Sequence, residues 1–134
     1  MASGDKRIAS HEDALPFGTE LISVGPLSVV EALIFPIYVP KGMGTIRVKK
    51  VRSVVTVALS TTASVITIKK ATTAMTGGTL TIAASAAIAE EDYCDIVNDA
   101  NARVPEESYI ALSIATGLTS GQVIFFVEYE RCQT

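Results

Sequence analysis

A chain of 134 residues holds one domain with a core of its own and is short for two. Apolar residues at 49% against 19% charged exclude a chain that stays unfolded throughout, and no apolar run reaches the roughly 18 residues that a membrane-crossing helix needs. The net charge of −3 excludes no class of partner, but its distribution is uneven.

Residues 1–18, "MASGDKRIASHEDALPFG", show no periodicity and no apolar core of a secretory signal. They read as an extended arm, which orders against a neighbour or not at all. Residues 19–134 read as a single β-sandwich domain. Thr19 to Val24 is a short strand, followed by a turn or bulge at Gly25-Pro26. Leu27 to Val39 is rich in β-branched and aromatic residues, and Pro36 within it points to an edge strand or a bulge. Pro40 to Gly44 is a turn.

In "TIRVKKVRSVVTVAL" (Thr45 to Leu59), Ile46 and Val48 alternate with Arg47 and Lys49. The phase then shifts, so that Val51, Ser53, Val55, Val57 and Leu59 share one face. A swap of faces is what a β-bulge produces, and it is placed at Lys49-Lys50. Further alternations put Ile66 and Ile68, then Leu80 and Ile82, then Ile110, Leu112 and Ile114, then Val123, Phe125, Val127 and Tyr129 on one face each. Thr-, Ser- and Gly-rich linkers such as "STTA", "TAMTGG" and "GLTSG" separate them. Many short strands with no repeated strand–helix unit predict an all-β antiparallel sandwich or jelly roll. Ala83 to Pro105 stands apart. Its alanines and the spacing of Tyr93, Ile96, Val97 and Ala100 allow a short helix near Glu90 to Ala100, and a partly irregular loop fits equally.

Residues that carry chemistry are sparse. His11, the single histidine, lies in the arm, which argues against a histidine-rich metal site and a Ser-His-Asp triad. Cys94 and Cys132 lack CxxC spacing and read as free thiols of a chain made in a cytoplasm. Gly77-Gly78 is not followed by Lys-Ser or Lys-Thr and reads as a turn rather than a phosphate loop. The acidic group Glu90, Glu91, Asp92, Asp95 and Asp99 has neither the spacing nor the glycine of a twelve-residue calcium loop, and a solvated face is its simplest reading. No metal, no cofactor and no enzymatic activity are expected.

The basic stretch is the sharpest feature. Seven Lys or Arg and no carboxylate fall between Lys41 and Lys70, whereas nine Asp or Glu face two Arg from Ala71 onward. No aromatic residue accompanies the cations, which disfavours stacking on bases. An acidic protein surface or plain solvation suits Arg47, Lys49, Lys50 and Arg52 better than nucleic acid.

From Val54 onward, "VVTVALSTTASVITIKKATTAMTGGTLTIAAS…NARVPEESYIALSIATGLTSGQVIFFVEYER" resembles small β proteins among the structural proteins of tailed bacteriophages. Gly78 to Ile82, Asn101 to Val104, Tyr109 to Leu112 and Val123 to Glu130 carry the likeness over about 80 residues. Many relatives have Gly-Asp before the Tyr-Ile strand, where this chain has Glu107-Ser108. The resemblance implies a jelly-roll-like sandwich and a virion role, with no catalytic residue. It leads to the expectation of a head decoration or cement protein, made in the host cytoplasm and placed on the capsid exterior. Its expected partners are the major capsid protein and copies of itself as a homodimer or homotrimer, with no direct nucleic acid and no membrane. Expected capsid contacts are Ile8, Leu15 and Phe17 of the arm and Arg47, Lys49, Lys50 and Arg52. A receptor- or glycan-binding module of a fibre or spike is the alternative.

Overall fold

A computed structural model describes residues 18–29, 33–114 and 120–132. Among the described residues, period-two alternation of apolar side chains produces nine strands: β1 (Thr19–Ser28), β2 (Leu33–Tyr38), β3 (Ile46–Val57), β4 (Ser64–Lys70), β5 (Thr73–Ile82), β6 (Glu91–Asp95), β7 (Arg103–Val104), β8 (Tyr109–Ile114) and β9 (Gln122–Arg131). They form two antiparallel sheets. Sheet A runs β1-β9-β3-β6 with β7 also on β3, and sheet B runs β2-β8-β4-β5. The fold is the all-β sandwich that the alternation predicts.

The core lies between the sheets. Val48, Val51, Val55, Val123, Phe125 and Val127 enter it from sheet A, and Ile66, Ile68, Leu80, Ile82, Ile110 and Leu112 from sheet B; all are buried. Burial of each such side chain is worth about 1.5–3 kcal/mol. The apolar faces read from the sequence are the faces that meet, except at Val57: a second extra residue, Thr56, turns it outward, and it is 42% exposed.

β3 carries the phase shift. Val48 pairs with Tyr129 and Lys50 with Glu128, which are consecutive on β9, so Lys49 is an extra residue and forms a bulge. β1 breaks its register between Val24 and Leu27, at Gly25-Pro26. Pro36 lies on β2, an edge strand, where a missing N–H is tolerated.

Three expectations change. The Glu90-to-Ala100 stretch forms no α-helix, and it is irregular only in part, at Glu90 and from Ile96 to Asp99. Glu91–Asp95 pairs with β3 through five registered residues, and helical geometry is confined to one 3-10 turn at Ala100–Ala102. A helix of some ten residues is marginal by itself, while the open edge of β3 offers backbone partners and Cys94 and Ile96 a route into the core. The "TAMTGG" linker belongs to β5, and the turn is Ala71-Thr72 instead. Gly77-Gly78 is a bulge within β5: Thr67 pairs with Thr79 but Lys69 with Ala74. Finally, the turn before β8 survives without glycine. Glu107 takes φ +67 and its N–H donates to the Val39 carbonyl at 2.7 Å.

The β5/β6 side of the sandwich is closed by backbone contact. The Val97 N–H donates to the Thr76 carbonyl at 2.9 Å, and a Cβ on Gly77 (φ +80) would lie 2.5 Å from the Asp95 carbonyl oxygen. Gly77→Ala should therefore lower stability by about 1–3 kcal/mol without changing the fold, read from the denaturant midpoint. An unchanged midpoint would mean that the seam gives way freely.

Candidate functional site

The two outer faces of the sandwich differ in chemistry. On sheet A, antiparallel register sets outward side chains in rows: Thr19, Glu130 and Arg47; then Leu21, Glu128, Lys50 and Asp95; then Ser23, Phe126, Arg52 and Tyr93. The bulge takes Lys49 out of the alternation, so that Lys50 stands opposite Glu128 and Arg52 opposite Phe126, both outward. The bulge thus gathers the basic stretch opposite the carboxylates of β9 and β6.

The cations are occupied there. Arg47 Nε donates to Glu130 Oε2 at 2.8 Å, and Arg52 Nε to Glu128 Oε2 at 2.7 Å. Lys49 Nζ donates to the Thr19 hydroxyl at 2.8 Å and lies 3.8 Å from Glu130 Oε1, tying β3 across β9 to β1. Lys50 Nζ sits 3.4 Å from Asp95 Oδ1 and 4.6 Å from the centre of the Tyr93 ring. The Arg47 hydrogen bond holds the Glu130 carboxyl below its ordinary range, and the Glu128 hydrogen bond raises the Arg52 guanidinium above its own. The excess of positive charge between Lys41 and Lys70 is one of sequence, answered in space by the chain's later acidic residues. Of the seven expected contact residues, the structure brings Arg47, Lys49, Lys50 and Arg52 together on one face. Ile8, Leu15 and Phe17 lie outside the described residues.

The acidic group is dispersed. Asp95 serves Lys50, Glu90 Oε1 accepts the Ala87 N–H at 3.2 Å, and Asp99 Oδ1 accepts the Asn101 N–H at 2.9 Å to cap the 3-10 turn. The Thr76 hydroxyl, with those backbone donors, holds the Asp99 carboxyl below its ordinary range. Among the described residues no group of three or more His, Cys, Asp or Glu is arranged to hold a metal ion.

Sheet B presents the opposite character. Its outward rows are Ile34, Ser113, Thr67 and Thr79, then Pro36, Ala111, Lys69 and Ala74, flanked by Tyr38 with Tyr109 and Val65 with Thr81. Among these described residues Lys69 is the one charge. Ile34 is 63% and Tyr38 59% exposed, on either side of Pro36 on the same face of β2, unusual for large apolar side chains. The alternation of Val65, Thr67 and Lys69 against Ile66 and Ile68 marks the outward set, but no pattern within one strand reveals that four strands share an uncharged face.

At the open side of the sandwich, between edges β1 and β2, lies an apolar groove of about 200 Å³ lined chiefly by Ile22, Ile37, Tyr38, Met43, Ile46 and Tyr129. The Tyr129 hydroxyl donates to Glu20 Oε1 at 2.9 Å, which fixes the ring as a wall. The turn below is pinned by Glu106 Oε1, which accepts from the Gly42 and Gly44 N–H groups at 3.1 Å each.

Two outcomes follow. Glu128 is only 8% exposed, so Arg52→Ala leaves a largely buried carboxylate without its partner. Because Arg52 itself reaches water, the expected loss is about 1–2 kcal/mol, and it should shrink in a Glu128→Gln background, as a double-mutant cycle would measure. Burial pushes the Cys94 thiol up to about 11, while Cys132 is half-buried, and both are free. At near-neutral pH a thiol reagent should label Cys132 in the native protein and Cys94 only after denaturation, as mass spectrometry of digests would show. Comparison of the chain with family models, with curated proteins and with solved structures returns no match.

Proposed function

We propose that the chain is a virion structural protein, a decoration or cement protein that binds the outside of a tailed-phage capsid through the outer face of sheet B. The observation that carries this reading is the segregation of charge. The face of sheet A has its cations matched to its own carboxylates, whereas that of sheet B offers Ile34, Pro36, Tyr38 and Val65 among threonines with one lysine. The centre of a lasting protein–protein contact is depleted of charge and enriched in apolar and aromatic side chains. Such a face suits a protein surface, and it suits a polyanion poorly. The resemblance of the second half of the chain to phage structural proteins supplies the class of partner, the major capsid protein. A homodimer or homotrimer set on a local symmetry axis of the shell fits that use, and the reading assigns no catalysis.

The basic face takes a supporting part. Its four cations each have a carboxylate partner on sheet A, and the ion pairs leave the exterior of a docked subunit near neutral. The alternative, a fibre or spike module, finds its best support in the exposed Tyr38 ring, which could serve a sugar.

The test uses heads stripped of the protein. The full-length chain should pellet with them and saturate at a fixed ratio to the major capsid protein. Ile34→Glu combined with Val65→Glu should weaken that binding by about tenfold or more at unchanged thermal stability, a difference of about 1.4 kcal/mol or more. Failure to bind heads, or electron microscopy placing the chain on tail fibres, would overturn the reading.

A further inference from the structure

We propose that the groove between the β1 and β2 edges receives Ile88 of a second copy of the chain, so that protomers associate head to tail. The inference stands whether or not the protein binds a capsid.

Ile88 is held out as a knob. It is 67% exposed, more than Ile34 or Tyr38. The segment that carries it is nevertheless fixed. The Glu90 N–H donates to the Ala87 carbonyl at 3.1 Å, closing a turn with Ile88 and Ala89 at its centre, and Glu90 Oε1 accepts the Ala87 N–H at 3.2 Å in return. On one flank the Leu59 N–H donates to the Ala86 carbonyl at 3.0 Å, and on the other the Ala89 N–H donates to the Val55 carbonyl at 2.8 Å. Ala89 holds φ +76, a left-handed angle that an alanine rarely takes. A loop free to relax would give up that angle; here the hydrogen bonds on both flanks keep the isoleucine in solvent.

The groove is the socket, and it lies at the other end of the molecule. Ile46 opens β3 and lines the groove, whereas Ala89 bonds to Val55 near the far end of that strand, roughly 30 Å away at about 3.3 Å per residue. The groove also opens beside β1, whereas the turn of Ile88 leads into β6, the opposite edge of sheet A. A protomer therefore cannot fill its own groove with Ile88, and a contact between two different patches of one chain is head to tail.

Size and charge favour a second copy as the occupant. An apolar cavity of roughly 150 Å³ holds one benzene ring. The groove offers about 200 Å³, enough for the smaller isoleucine side chain and a flanking alanine. Between Ala83 and Asp99 the chain has five carboxylates and no Lys or Arg, so the knob stands on an acidic segment. At the rim of the groove the carboxylates are occupied: Glu106 accepts from Gly42 and Gly44, and Glu20 pairs with Arg131 at 3.4 Å. Lys41, between the lining residues Pro40 and Met43, is exposed and has no carboxylate partner among the described residues. An acidic knob thus approaches a socket whose open charge is positive.

Sedimentation of the full-length protein over a concentration series should show self-association, which Ile88→Asp and Ile22→Glu should each weaken by about tenfold or more at unchanged thermal stability. Mixing the two variants separates a head-to-tail contact from a symmetric one. The first keeps its groove and the second its Ile88, so the mixture should form a dimer and nothing larger. A further measurement uses the wild-type side chains: isotope-filtered nuclear Overhauser contacts should join the Ile88 methyl groups of one copy to the Met43 methyl group of another. A protein that stays monomeric throughout the series would overturn the proposal. So would association that Ile88→Asp leaves intact, or a mixture that stays monomeric together with the absence of those contacts.

Discussion

The pairing of β3 with β9, and the extra residue at Lys49 within it, is the constraint from which the rest of sheet A follows. β9 lies between β1 and β3, so it aligns both neighbours. A side-chain period of two leaves no freedom: one inserted residue moves everything after it to the other face. Before the bulge, Val48 faces the core; after it, Val51 and Val55 do. The same step sets Lys50 and Arg52 on the outside, on the side that Arg47 already faces, beside Glu130 and Glu128. The hydrophobic core and the exterior ion-pair lattice are thus two results of one irregularity.

That lattice also explains why the two faces diverge. Cross-strand pairs of opposite charge stabilise a sheet modestly each, and like charges opposite one another destabilise it. Sheet A alternates its signs across β3, β9 and β6. Sheet B uses threonine and β-branched residues, which suit a pleated surface without calling for counter-ions. The lateral sides diverge as well. Backbone contact at Gly77 and Val97 draws β5 and β6 together, while β1 and β2 leave a groove between them. On the proposed reading, the uncharged face meets the capsid.

Much of this was legible in the sequence. The inward sets Ile66 with Ile68, and Val123 with Phe125 and Val127, follow from alternation alone, and the bulge follows from the broken phase at Lys49-Lys50. Other features depend on relations between distant segments. The ion pairs join distant residues, Arg47 and Glu130 across 83 positions for example, so the sequence displays a basic half and an acidic half where the folded chain has neither. Glu91–Asp95 carries weak strand propensity, and its conformation is decided by the vacant edge of β3. The turn at Glu107 shows the converse: a left-handed backbone angle that favours glycine is held by a longer residue because the surrounding hydrogen bonds define the turn. The uncharged face of sheet B became visible only when four strands were set side by side.

The order of strands in sheet A has a consequence for how the chain reaches this state. β9 is the last strand in sequence and the central partner of β1 and β3. As the chain emerges from the ribosome, β1 and β3 are complete while the strand that joins them is still being made. Until then both expose unpaired backbone edges, and β3 its apolar stripe as well. Sheet B shares the delay in part: β4 and β5 form a local hairpin, but β2 joins them only through the late strand β8. Synthesis therefore passes through an interval in which one hairpin can form while each sheet lacks the strand that joins its early members, and cooperative closure waits for Tyr109 to Ile114 and Val123 to Glu130.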